Sequence, residues 1–290
     1  MQAEGIAARL AASIPNVWPH LAAAMKPALR LGTWPIDDAH LALGASKFGG
    51  KPDLARGADW PAWNDRSGHR RPMKFFTQVD LAAATKAAPG PLDLPAAGLL
   101  SFFADFDRDG EISGLYSWEQ QGARVIYTPA GTDLQRFDSP VPPLTSAALA
   151  MVPMWSWPQD PPAGVDLTDG EFDALESLDR EYEVELRGIA GQWHLDGRHQ
   201  LGGHARYIQH PVEEEVVQAV NGVFDAGSFD HASYEATKDQ AKDWRLILQL
   251  DSDSGLDVMW GDAGTIYWEA RHADASAGVW NRTAFNFQCS

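Results

Sequence analysis

The chain has 290 residues, of which 40 are acidic and 23 are Lys or Arg, giving a formal net charge of −17 at pH 7. Hydrophobic residues make up 44% and charged residues 22%, values typical of a folded globular protein. This acidity argues against binding to nucleic acids and to anionic membranes, which requires a net cationic surface, and neither is predicted as a partner. A basic protein is its natural electrostatic complement.

The cysteine content and the N-terminus bear on the cellular compartment. A single cysteine, Cys289, excludes an internal disulfide and any paired-cysteine metal or redox site. The N-terminal stretch is amphipathic and alanine-rich, without the basic cluster and apolar block of a signal peptide. No apolar run reaches the 18 residues that a membrane span requires. We therefore expect a cytoplasmic protein.

The first half of the chain changes from helical to β-like patterns. Ile6, Leu10 and Ile14 recur every four residues and predict a helix over residues 3–14, and a similar pattern predicts a second helix over 20–30. Short β-like runs divided by Gly, Pro and Asp follow at residues 74–79, 98–103, 115–118 and 124–127.

Prolines and tryptophans crowd the middle of the chain, with seven prolines between residues 139 and 162. Proline interrupts helices and cannot donate a hydrogen bond within a sheet, so this stretch predicts a connector and not a central strand. Beyond it, helices are predicted over residues 168–186 and 212–221, and strands over 244–250, 258–260 and 265–270.

Three segments of the first half have counterparts in the second half. Residues 75–80 resemble 246–251, residues 98–103 resemble 264–268, and the glycine pair at 49–50 resembles that at 202–203. The order is the same in both halves, and the second member follows the first by 153 to 171 residues. This pattern predicts two β-rich repeats.

One aspartate string is compatible with a calcium loop. Asp105, Asp107 and Asp109 alternate before a glycine, as oxygen ligands do around bound calcium. However, position twelve of the string is Tyr116 where a glutamate is needed, and the flanks are strand-like. A polar hairpin loop is the alternative interpretation.

Two further groups resemble metal ligands. Asp251 and Asp253 precede a glycine after a predicted strand, which suits either a hard cation or a solvated turn. His199 and His204 lie in a glycine-rich stretch, but their spacing is not that of usual zinc sites. No nucleotide-binding glycine loop, zinc-protease motif or serine-nucleophile motif is present in the sequence.

Several ordered motifs together resemble the YwqG family. They are residues 46–52, 60–61, 75–80 and 94–103 in the first half, and residues 199–203, 248–253, 260–262 and 264–268 in the second. The resemblance implies a β-rich fold with an internal duplication, in a family of unknown biochemical function that is distantly similar to programmed-cell-death-2-like chaperones. Bacterial members have been suggested as toxin-immunity proteins. No catalytic residues carry over.

These observations predict an α+β, β-rich fold with two internally duplicated β-repeats in one compact domain and N-terminal helices. The predicted division is an N-terminal helical segment at 1–40 and a YwqG-like domain at 41–290. Within that domain, repeat 1 covers residues 41–135, the Pro/Trp-rich connector 139–165, and repeat 2 residues 190–290. No cofactor is predicted, and a monomer is favoured.

The leading functional hypothesis is a non-enzymatic protein-binding module, chaperone-like or immunity-like, whose acidic surface captures a basic protein. The predicted contact residues are Trp60, Gln78, Asp80, Gln249, Asp251, Asp253, Trp260 and Asp262. The same residues also suit a purely architectural role. The alternative is a metal-dependent enzyme or small-ligand binder in the cleft between the repeats, using Asp251, Asp253 and Asp262 with His199 or His204.

Overall fold

A computed structural model describes residues 2–106, 119–161, 164–225 and 228–290, with side chains throughout except at residues 2–7 and 225. Its helices are α1 (Gln2–Ser13), α2 (Trp18–Ala24), α3 (Leu81–Ala87), α4 (Asp169–Ala190), α5 (Val212–Val220), α6 (His231–Thr237) and α7 (His272–Ser276). Its strands are β1 (Lys26–Pro35), β2 (Lys47–Phe48), β3 (Asp53–Ala55), β4 (Ala62–Asn64), β5 (Arg70–Pro72), β6 (Lys74–Asp80), β7 (Leu99–Ala104), β8 (Ala123–Thr128), β9 (Leu134–Arg136), β10 (Ala147–Ser156), β11 (Gln200–Gly202), β12 (Phe224–Asp225), β13 (Ser228–Phe229), β14 (Trp244–Asp251), β15 (Thr265–Arg271) and β16 (Ala284–Gln288).

Ten strands form one antiparallel sheet in the order β16-β15-β14-β11-β1-β10-β2-β6-β7-β8. At its centre, β1 pairs with β10 along its whole length and with β11 on its other side. The two halves of the sheet extend outward from this central pair. The predicted β-rich fold and the N-terminal helices are therefore confirmed.

The two end strands of the sheet are joined by a glutamine side chain. Gln120 lies in a 3-10 turn just before β8, and its Nε2 donates to the carbonyl of Phe285 in β16 at 2.8 Å. Its Oε1 accepts the Phe285 N–H at 2.7 Å. The sheet is therefore nearly closed.

The hydrophobic core lies inside this curved sheet, with smaller clusters on its outer surface. The interior is filled by large side chains from many strands, among them Phe48, Phe76 and Trp268. Outside, α1, α2 and α4 pack on β1 and β10, and α5 packs on β14 and β15. Among the described helices, none has both the length and the apolarity to cross a bilayer.

The proline-rich segment contains a central strand, so the prediction of a connector over the whole of it is wrong. Leu149 of β10 donates to the Ser46 carbonyl on the β2 side, and Pro153, four residues on, faces the same side. There β2 has already ended, because it pairs only with Ala147 and Ala148. The missing N–H of Pro153 therefore removes no hydrogen bond between strands.

The N-terminal segment is also not purely helical. The helix predicted over residues 20–30 ends at Ala24, and β1 follows from Lys26. Pro27 cannot join the helix interior, while Leu29 and Leu31 are buried in the sheet core. A boundary at residue 40 would therefore separate the central strand from the rest of the sheet.

Most of the other predicted elements are confirmed. The helices at 3–14, 168–186 and 212–221 correspond to α1, α4 and α5, and the strands at 74–79, 98–103, 124–127, 244–250 and 265–270 to β6, β7, β8, β14 and β15. The strand predicted at 258–260 is wrong, because Val258 forms only an isolated bridge with Asp253. The strand predicted at 115–118 lies outside the described residues.

Candidate functional site

The eight predicted contact residues differ in their accessibility. Gln78, Gln249, Asp253 and Trp260 are buried. Trp60, Asp80 and Asp251 are half-buried, and Asp262 is exposed. A partner could therefore touch only part of the predicted surface directly.

Gln78 in β6 ties together two segments of the first half. Its Nε2 donates to the Ala45 carbonyl and to Oδ2 of Asp53, each at 2.8 Å. Its Oε1 accepts the Asp53 N–H at 2.8 Å. A buried amide needs such partners, and here all of them lie within the protein. The observed role of Gln78 is structural.

Gln249 in β14 has a corresponding position in the second half. Its Nε2 donates to the Arg198 carbonyl at 3.0 Å, and its Oε1 accepts the Arg206 N–H at 2.9 Å. Between these two points, Gly202 and Gly203 have φ angles of 69° and 78°, in the left-handed region that favours glycine. Gln249 thus holds both ends of a glycine turn.

The aspartates that end β6 and β14 are also tied to neighbouring loops. The Asp80 N–H donates to Ser46 Oγ at 2.8 Å, and the Asp251 N–H donates to His199 Nδ1 at 3.1 Å. Because Nδ1 accepts, His199 carries its proton on Nε2 and donates to Asp253 at 3.0 Å. Burial opposes ionisation of Asp253, but hydrogen bonds from His199 and the backbone hold its pKa below the ordinary value. His199 is thus a buried structural residue.

Trp60 and Trp260, predicted as anchors for a partner, pack into the protein. The indole of Trp60 donates to the Met73 carbonyl at 2.9 Å. The indole of Trp260 donates to the Asp251 carbonyl at 3.0 Å. The Trp60 ring also contacts Phe103 of β7, and the Trp260 ring contacts Phe76 of β6 and Phe106. Both side chains therefore wedge loops onto the sheet.

The predicted calcium loop is described only at its first position. Asp105 is buried, accepts the Trp63 indole N–H at 2.7 Å and pairs with Arg71 at 2.6 Å. Asp107 and Asp109 lie outside the described residues. The oxygens of Asp105 are therefore occupied by protein donors.

His204 does not join His199 in a common metal site. Its Nε2 donates to the Ala24 carbonyl at 2.7 Å. Burial, with nearby Lys26, lowers the pKa of His204 to about 4, so the ring is neutral at pH 7. Across the described ranges, no group of three His, Cys, Asp or Glu side chains is placed to hold a metal ion. The metal-dependent alternative thus has no assembled ligand set there.

A cleft of about 670 Å³ lies between α4 and the second half of the sheet, and we call it the α4 cleft. Its lining includes Trp157, Phe172, Asp179, Arg206, Ile208 and Asp251. Gln249 also lines it, as does Ala263, the neighbour of Asp262. Two of the predicted contact residues, Gln249 and Asp251, therefore line this cleft, and Asp262 is adjacent in sequence to a lining residue.

Two arginines in the α4 cleft pair with the same carboxylate, that of Asp179. The guanidinium of Arg206 lies 5.6 Å from the centre of the Trp157 ring and 2.5 Å from Asp179. Arg198 pairs with the same carboxylate at 3.1 Å. Burial lowers the pKa of Arg206, and Asp179 counteracts that effect. This triad connects α4 to the loop that Gln249 holds.

The rim of the α4 cleft combines apolar and acidic side chains. Phe172 is 52% exposed and Ile208 38% exposed. Asp160 accepts the Tyr207 hydroxyl, and Asp251 accepts the Arg198 N–H at 3.0 Å. Within the described part of the chain, neither of these carboxylates is in an ion pair with a cation. The helix α4 itself contains eight acidic residues and two arginines.

Sequence reasoning found Gln249 and Asp251 in this cleft but missed Phe172, Arg206 and Ile208. The cleft is built from three separate segments that meet only in the folded chain: Phe172 in α4, the loop with Arg206 and Ile208, and the end of β14 with Gln249 and Asp251. The sequence did contain one indication of an exposed apolar side chain, because Phe172 lies among acidic residues in the first turn of a predicted helix.

Comparison with known proteins supplies a family for most of the chain. Residues 46–289 match the family model described as Domain of unknown function (DUF1963).

The chain belongs to this family.

The DUF1963 match runs from just before β2 to β16 and includes the lining of the α4 cleft except Ser290, whereas β1, α1 and α2 precede it. No curated protein matches the chain.

Proposed function

We propose that this DUF1963 chain is a non-enzymatic protein-binding module whose α4 cleft takes up a basic segment of another protein. The observation that carries the proposal is the cleft rim, where exposed Phe172 and Ile208 accompany the carboxylates of Asp160 and Asp251. Within the described structure, these carboxylates accept hydrogen bonds but form no ion pair. Large exposed apolar groups with a polar border are typical of interaction sites. We propose that the biological role of this binding is chaperone-like or immunity-like, as the resemblance to the YwqG family implies.

The apolar and acidic groups would contribute differently to binding. Carboxylates attract a basic segment over a distance and speed its association, and salt weakens that attraction. Burial of the Phe172 ring would slow dissociation, because aromatic side chains often supply most of the binding energy. The proposal therefore requires that binding of the partner weakens at high salt and also when the Phe172 side chain is removed.

We also infer that the sheet arose by internal duplication. Beyond β10 the sheet continues as β2-β6-β7-β8, and beyond β1 as β11-β14-β15-β16, so the predicted repeat segments occupy matching places. Each half has one β-bulge, between Phe75 and Thr77 in β6 and between Leu246 and Leu248 in β14. The corresponding hydrogen bonds of Gln78 and Gln249 support the same inference.

The test is a pull-down from the native lysate with the tagged full chain, its Phe172→Ala variant and a Val184→Ala control. Val184 lies on the same helix, is 66% exposed and does not line the cleft. We expect one basic protein, recovered near stoichiometry by the wild type and the control. Its recovery should fall at least about tenfold with Phe172→Ala, the effect of removing a strong interface residue. A high-salt wash should release it.

Two results would count against the proposal. Specific proteins retained equally by all three chains would place the contact surface away from the α4 cleft. If no protein is specifically retained at either salt concentration, the proposal of protein capture loses its support. Melting curves of the two variants establish that both remain folded.

A further inference from the structure

A groove of about 670 Å³ lies at the junction of the two end strands, and we call it the seam groove. One wall includes Ala123 and Arg124 of β8, and the other includes Thr283 and Ala284 at the start of β16. None of its described lining residues also lines the α4 cleft, so the two sites are separate.

Three of the described tryptophans line the seam groove. Trp63, Trp244 and Trp280 are each more than nine-tenths buried. The indole N–H of Trp63 donates to Asp105, whereas those of Trp244 and Trp280 have no hydrogen-bond partner among the described residues. Only a small part of each ring is exposed, so the three rings form an apolar floor of the groove on which a ligand side chain can pack.

The charge of the seam groove is opposite to that of the whole chain. Among the described residues, its lining contains Arg124, Arg271 and Arg282 but one carboxylate, Asp274, which lies 3.4 Å from Arg282. Arg271 stacks over Trp244 at 5.2 Å, and Arg124 is exposed. Neither of these two arginines forms an ion pair within the described structure. In a chain of net charge −17, the groove is thus a cationic site.

The edge of β16 is protected by side-chain amides in place of a neighbouring strand. Gln120 both donates to and accepts from the main chain of Phe285, as a residue of an adjacent antiparallel strand would. Two residues further, the Phe287 N–H donates to the side chain of Asn286 at 2.7 Å. A peptide main chain carries the same amide chemistry and can replace these interactions.

We propose that the seam groove binds an acidic peptide segment in extended conformation, which adds as a strand alongside β16. Its main chain takes over hydrogen bonds now made by Gln120. Its carboxylates pair with Arg124 and Arg271, and its apolar side chains pack on the tryptophans. An extended segment presents alternate side chains to opposite faces, so acidic and apolar residues in alternation fit the site.

The test uses a fluorescein-labelled nonapeptide of alternating Glu and Val, titrated with the full chain and followed by anisotropy. We expect saturable binding that the Arg124→Gln/Arg271→Gln double variant weakens at least about tenfold, because the charge-assisted hydrogen bonds to the peptide carboxylates are lost. The matched control, Arg187→Gln, changes an exposed arginine of α4 and should bind as the wild type does. A Lys-Val nonapeptide should not bind. Melting curves check that the variants remain folded.

Hydrogen exchange then tests the added strand. With the Glu-Val peptide bound, amide exchange in β16 should slow, because main-chain groups become paired. Binding without this protection, or equal competition by free glutamate, would overturn the proposal in favour of a small-anion site. The absence of saturable binding, or binding that the arginine substitutions leave unchanged, would also overturn it.

Discussion

Glu269 is a buried acid without a partner. It lies in β15, fully buried, and neither carboxylate oxygen has a hydrogen-bond partner in the described structure. Burial raises its pKa well above the ordinary value of 4.5, nearby Glu213 raises it further, and Lys26 opposes the rise. The folded protein therefore keeps this side chain protonated at pH values where the unfolded chain releases the proton.

This difference predicts how stability changes with pH. Above pH 4.5 the folded state holds a proton that the unfolded state has lost, so Glu269 lowers the free energy of unfolding as pH rises towards its folded pKa. The slope is at most about 1.4 kcal/mol per pH unit. Glu269→Gln cannot ionise and should be more stable than the wild type at pH 7, with the difference shrinking towards pH 4.5. Urea unfolding at several pH values measures this.

The control for this measurement is Glu235→Gln, the same chemical change at an exposed position on α6. It should show the pH dependence of the wild type. If Glu269→Gln and the wild type keep a constant difference from pH 5 to 8, Glu269 does not bind the extra proton.

Asp80 connects a predicted contact residue to the stability of a short helix. It precedes α3, and one carboxylate oxygen accepts the N–H groups of Ala82 at 2.9 Å and Ala83 at 3.4 Å. A side-chain cap of this kind stabilises a helix by about 1 kcal/mol. We expect Asp80→Ala to lower the free energy of unfolding by about that amount, and Asp80→Asn to retain most of it. Urea unfolding of both variants provides the measurement. Equal losses in the two variants would show that the negative charge matters and the cap does not.

Elements with local signals could be predicted from the sequence. Thr168 and Glu171 form a capping box at the start of α4, and the acidic and apolar faces of that helix were visible in the sequence. The strand β10 could not be predicted, because its Pro153 is compatible with a central strand only where the neighbouring strand β2 has already ended. That end is set by tertiary structure, and no local pattern reports it.

The candidate site shows the same limit. The end of β14 that bears Gln249 and Asp251 was identified from its resemblance to residues 78–80 of the first half. The burial of Gln249, however, follows from its bonds to the Arg198 and Arg206 backbone. Phe172 and Ile208 became candidates only when folding placed α4 beside that strand end. Sequence similarity therefore identified the strand end, and the fold determined which of its atoms remain accessible.

At the scale of the whole molecule, β1 unites the two halves of the sheet. It lies between β10 and β11, which each pair with β1 and not with each other. Leu29 and Leu31 on this strand are buried in the central core. Yet β1 precedes the region that matches the DUF1963 family model. The folded unit of this chain is therefore larger than the matched region.

Removal of β1 should consequently disrupt the fold, whereas removal of α1 should weaken it. A chain of residues 37–290 leaves the facing edges of β10 and β11 unpaired at the centre of the sheet, so we expect aggregation or a loss of cooperative unfolding. A chain of residues 16–290 loses the contacts of Leu10 and Ile14 with the helical layer but keeps the sheet. It should remain folded with a lower melting temperature. Size-exclusion chromatography and thermal melts distinguish the two truncated chains.

Co-expression of residues 1–36 with the chain of residues 37–290 should restore folding, because β1 then regains both of its neighbours. If residues 37–290 alone unfold cooperatively at the melting temperature of the full chain, the boundary at residue 40 is correct and β1 is dispensable.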